Sequence, residues 1–93
     1  MITSKDFLKM LTEAKDGTVE YLTMPIADFG IDTLVGDIDI EYKPERGAYI
    51  VLITFGEDNF RAFVYPGEDM NTEKASEIIE MIHNEVEEIV KED

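Results

Sequence analysis

Apolar residues recur along the chain with two periods, and the change of period marks its elements. Phe7, Leu8, Leu11 and Ala14 fall on one face at three- and four-residue spacing, which predicts a helix over 4–15. Thr3 followed three residues later by Asp6 is a capping pattern at its start, and Gly17 is placed to stop it. Residues 18–23 read as a short strand that ends at Met24-Pro25. The segment 26–36 carries Ile26, Phe29, Ile31, Leu34 and Val35, too many apolar side chains for a free loop. From Asp37 the period becomes two. Ile38, Ile40 and Tyr42 alternate with Asp37, Asp39 and Glu41, the pattern of a strand with one buried face.

Lys43-Pro44-Glu45-Arg46-Gly47 is a turn, with proline fixing one φ and glycine free to take a left-handed one. Residues 49–55 are apolar on both faces, as in a central strand. Gly56-Glu57-Asp58-Asn59 turns the chain into a further strand over 60–65. A long helix follows from about Thr72 to Lys91, with Asn71 or Thr72 as its N-cap. Ala75, Ile78, Ile79, Ile82, Val86, Ile89 and Val90 form its apolar stripe. The expected fold class is α+β: an N-terminal helix, an antiparallel meander sheet of three to four strands, and a long C-terminal helix packed on it. One domain spanning 1–93 accounts for all of this. Ile50, Leu52, Phe63 and Tyr65 are left for the second face of the sheet. Phe29, Ile31 and Leu34, or a second copy of the chain, are expected to cover them.

Composition changes the picture through charge. The 22 Asp and Glu outnumber 8 Lys and Arg, for a net charge of −14. Direct nucleic-acid binding needs a basic stripe to displace counterions, and anionic membranes attract basic segments, so neither is expected. Without cysteine there is no disulfide, thiolate nucleophile or sulfur-ligated zinc. No apolar run approaches the roughly 20 residues of a membrane span. The first residues lack the basic-then-apolar order of a signal peptide, and a cytoplasmic location is expected.

Candidate chemistry is sparse. Asp28-Phe29-Gly30 spells the magnesium tripeptide of protein kinases without the glycine-rich loop, strand lysine and catalytic loop that give it meaning. On a calcium-loop template, Asp37, Asp39 and Glu41 put Tyr42 where glycine is required and Ala48 where the closing glutamate is required. The single histidine, His83, reads as a solvated residue on the flank of the terminal helix. A short chain also has little volume for a pocket that would raise one of two paired carboxylates. No catalytic activity, metal or cofactor is expected.

The distribution of acids is more informative. No basic residue lies between Lys15 and Lys43, an interval that holds Asp16, Glu20, Asp28, Asp32, Asp37, Asp39 and Glu41. The terminal helix adds Glu73, Glu77, Glu80, Glu87 and Glu88 on its outer surface. Interspersed lysines would also solubilise and would form stabilising opposite pairs, whereas a one-signed field costs stability through self-repulsion. On a strand, Asp37, Asp39 and Glu41 stand about 6.6–6.8 Å apart in a regular row of single charges. Such a row presents to a lysine- and arginine-lined groove what a nucleic-acid backbone presents. Asp37, Asp39, Glu41, Glu77, Glu80 and Glu87 are therefore the nominated partner-binding residues. The expected partner is a basic protein, a nucleic-acid-binding effector or a nuclease, steered in by its opposite field.

In size, charge and element order the chain resembles the small acidic inhibitors that phages and mobile elements make against nucleic-acid-handling defence enzymes. Anti-CRISPR proteins that act as DNA mimics are the nearest type. The resemblance implies a helix, an antiparallel sheet and further helix around a negative surface that occupies a DNA-binding cleft. Those families share no sequence motif, so the nominated residues come from the charge map alone. Immunity proteins that neutralise basic nuclease toxins share the same size and charge. A small adaptor or a homodimerisation module using the spare sheet face is the alternative of a different class.

Overall fold

The computed structural model describes residues 1–92. Its elements are α1 (Ser4–Asp16), β1 (Leu22–Pro25), a short 3₁₀ turn (Ile26–Phe29), β2 (Gly36–Lys43), β3 (Ala48–Phe55), β4 (Asn59–Pro66) and α2 (Thr72–Glu92). The strands form one antiparallel sheet in the order β1-β2-β3-β4, an uninterrupted meander. The α+β architecture read from the periodicities is the one observed.

The helix ends follow their capping residues. The Thr3 hydroxyl accepts the Asp6 amide at 3.1 Å, and Gly17 closes α1 with φ of 86°. Asn71 caps α2, its side chain accepting the Lys74 amide at 2.9 Å. The strand expected over 18–23 begins later. Asp16 holds Thr18 through amide and hydroxyl bonds of 2.9 and 2.5 Å, which bends the chain after α1 and delays pairing until Leu22. Both bonds hold the Asp16 carboxyl below its ordinary pKa. Pro25 does not end the strand early; it occupies the last position of β1, on an edge where no amide is needed.

Both helices cover one face of the sheet. Ile38, Ile40, Val51 and Ile53 point into that layer and are fully buried, together with Phe7 and Leu11 of α1 and Ile78 and Ile82 of α2. Tyr49 crosses the layer, its buried hydroxyl donating to the Leu11 carbonyl at 2.8 Å. Val90, placed in the apolar stripe by its spacing, lies at the solvent border at 38% exposed.

Two expectations about the second face are corrected. Phe63 and Tyr65 lie on the helix side, because the β3–β4 register sets Phe63 opposite Val51 and Tyr65 opposite Tyr49. The 26–35 segment does not cover the second face either. Phe29 turns under α1, edge-on to Phe7 with ring centroids 5.6 Å apart, and Ile31 joins the same core. His83 holds the segment there. Its half-buried ring lies with Nε2 2.7 Å from the Phe29 carbonyl, so Nε2 is the protonated nitrogen. The histidine read as solvated is a tether between α2 and the 3₁₀ turn.

Candidate partner-binding face

The face of the sheet opposite the helices remains open, and the strand registers fix its contents. Asp37 of β2 stands opposite Thr54 of β3, which stands opposite Phe60 of β4. The next row runs Thr23, Asp39, Leu52, Ala62. The third runs Glu41, Ile50, Val64. Acid therefore occupies the β2 column, and apolar side chains fill most of the two columns beyond it. Phe60 is 64% exposed and Val64 53%, values that leave no room for a covering element.

Local chemistry tunes the acidic column. The Thr23 hydroxyl donates to Asp39 at 2.8 Å, fixing its carboxylate without neutralising it. Lys43 meets Glu41 at 2.7 Å, and that hydrogen bond raises the ammonium above its ordinary pKa. The negative field of the row is therefore strongest at its Asp37 and Asp39 end. At that end a cleft of about 960 Å³ opens, with Leu52, Phe55 and Phe60 as apolar walls and Asp37 and Asp58 as carboxylates. Gly36 stands at its margin because a Cβ there would collide with the Thr54 carbonyl oxygen. A smaller hollow of about 170 Å³ lies between Tyr21, Asp39, Glu41, Ile50 and Leu52.

The six nominated acids fall into two groups. Asp37, Asp39 and Glu41 share the open face, with their side chains in parallel along one strand. Glu77, Glu80 and Glu87 are exposed on α2, with the sheet between them and that row. Two of those three have partners: Glu77 accepts the Tyr65 hydroxyl, and Glu87 pairs with Lys91 at 3.0 Å. Burial, and then the Glu77 carboxylate, push the Tyr65 hydroxyl up to about 12. No single flat partner surface reaches both groups.

The charge map did not nominate Tyr21, Phe60 and Val64, which border or form the open face. The signal for Phe60 and Val64 is the alternation of Phe60, Ala62 and Val64 against Phe63 and Tyr65, once the phase of β4 is known. Among the described residues no cluster of His, Asp or Glu converges as metal ligands. No helix there is long and apolar enough to cross a membrane. No protein-family model, curated protein or solved structure matches the chain.

Proposed function

We propose that the protein is a non-catalytic acidic inhibitor that blocks a basic, nucleic-acid-binding surface of another protein, in the manner of anti-CRISPR DNA mimics. One observation carries the reading: a row of strand carboxylates lies beside uncovered apolar side chains on the same face. An apolar patch supplies the desolvated centre of an interface, and a charged border supplies steering and register. A solvated sheet face would instead alternate apolar-in with polar-out on every strand. Here Asp37 and Asp39 offer the charges, and Leu52, Ile50, Phe60 and Val64 offer the contact area. The acids of α2 lie off this face and add to the field that steers the partner in.

Competition tests this directly. A partner captured from the native host at low salt should release a labelled oligonucleotide when the protein is added. Simultaneous binding of protein and oligonucleotide would contradict the proposal. The uncovered Phe60 and Val64 favour a second reading, an adaptor or homodimer joined through the open face. Light scattering over a hundredfold concentration range decides that reading, since it requires mass to grow with concentration.

A further inference from the structure

The sheet has one long free edge. β4 pairs with β3 along its whole length, in a register without a bulge, and among the described residues no other strand pairs with it. Alternate residues of such an edge turn their amide and carbonyl groups outward. Proteins usually protect an edge of this kind with charge, proline or a bulge. β4 carries only Arg61, which is drawn to Glu92 on α2, and its proline stands at the last position. Residues 60–65 thus form an edge with no such protection.

The two sides of this edge differ in chemistry. Phe60, Ala62 and Val64 line it on the open face. On the other side α2 runs along it, tied by Glu77 to Tyr65 and by Glu92 to Arg61. Helical spacing sets Glu85 and Glu88 on the same flank between those two contacts. We propose that β4 receives an extended basic segment of the partner as an added strand. Its lysines or arginines would turn toward the α2 flank, and its alternate apolar residues would extend the Phe60–Val64 row. This rests on the acidic-inhibitor reading and gives the α2 carboxylates a direct role in it. Charge selects this occupant over a second copy. Pairing β4 with itself about a two-fold axis would bring two α2 flanks together, each from a chain of net charge −14.

The test uses a short acetylated peptide of alternating lysine and valine, matched in length to β4. Its control is the same peptide N-methylated at every second residue, which keeps charge and side chains but removes the donors of one edge. Titration into the intact protein, followed by amide hydrogen exchange, should show slowed exchange at alternate residues of β4. The methylated peptide should bind at least about tenfold more weakly, as expected for the loss of several backbone hydrogen bonds. Replacing Glu77, Glu85 and Glu88 with glutamine should also weaken the unmethylated peptide. Equal binding of the two peptides, or protection at β1 instead, would overturn the edge site and leave the open face untouched. Slowed exchange at β4 that grows with protein concentration in the absence of peptide would overturn it in favour of a second copy. Undiminished inhibition by a D37N/D39N/E41Q variant would remove the acidic-face reading on its own, whatever the peptides do.

Discussion

Ile38, Ile40, Val51 and Ile53 on one face of the sheet are sealed under two helices, while Leu52, Ile50, Phe60 and Val64 on the other meet solvent. The same strands build both faces, so the contrast isolates what each set of side chains does. On the covered face apolar residues run across all four strands, and Tyr49 and His83 bond the helices and the 3₁₀ turn in place. On the open face the character changes across the sheet, from carboxylates on β2 to apolar groups on β3 and β4. One face stabilises the fold, and the other, left open, is the face proposed for recognition. Four of the six large apolar residues with high exposure, Tyr21, Val35, Phe60 and Val64, border or lie on that second face.

Mutation can break this contrast, and the largest effect should come from the covered face. Ile82→Ala removes a fully buried side chain between α2 and the sheet. It is expected to cost about 2–5 kcal/mol in urea unfolding. A loss under about 0.5 kcal/mol, the usual range for surface positions, would show that the helix face is assigned wrongly.

Tyr49→Phe probes the same layer more gently. Losing the hydroxyl bond to Leu11 should cost about 1 kcal/mol at neutral pH. Burial, with a further contribution from Tyr42, pushes the Tyr49 hydroxyl up to about 12 from 10.0. The folded chain therefore holds this proton more tightly than the unfolded chain does. Its contribution is complete below pH 10 and is lost as pH climbs toward 12. Chemical denaturation across that window should show a shallower decline for Tyr49→Phe than for the native protein. Identical slopes would mean that Tyr49 is not sealed in the core.

Phe60→Ala sharpens the comparison from the open side. Although the side chain is larger than that of Ile82, its exposure limits the expected stability change to within about 0.5 kcal/mol. Partner affinity should fall far more, because an exposed aromatic beside the cleft is the kind of residue that anchors an interface. A stability loss matching that of Ile82→Ala would mean that something in the free protein covers this face.

The helices, their caps, the phase of β2 and the central place of β3 were legible in the sequence, because each rests on local periodicity or a local hydrogen bond. The phase of β4 was not. Phe60, Ala62 and Val64 alternate with Phe63 and Tyr65, both sets are apolar, and only pairing with Val51 and Tyr49 decides which set faces the helices. The apolar content of 26–35 points to buried side chains, and Ile26, Phe29 and Ile31 are buried while Val35 is 90% exposed. Its direction depended on the distant contacts of Phe29 with Phe7 and His83, which no short-range pattern encodes. The acidic row of the site was plain from alternation alone. Its separation from the acids of α2, by the thickness of the sheet, was not.

The smallest stability effect accompanies the most direct test. Replacing Asp37, Asp39 and Glu41 together by Asn, Asn and Gln preserves volume on the open face and removes three charges. Unfolding free energy should hold or rise by a few tenths of a kcal/mol as self-repulsion falls. The decisive measurement is the association rate of native and triple-variant protein with the captured basic partner, taken across a series of salt concentrations. The account predicts that the native rate falls steeply with salt, while the variant starts lower and depends on salt much less. Equal rates and equal inhibition at physiological salt would show that these carboxylates are only a solvated surface, and would contradict the acidic-face account.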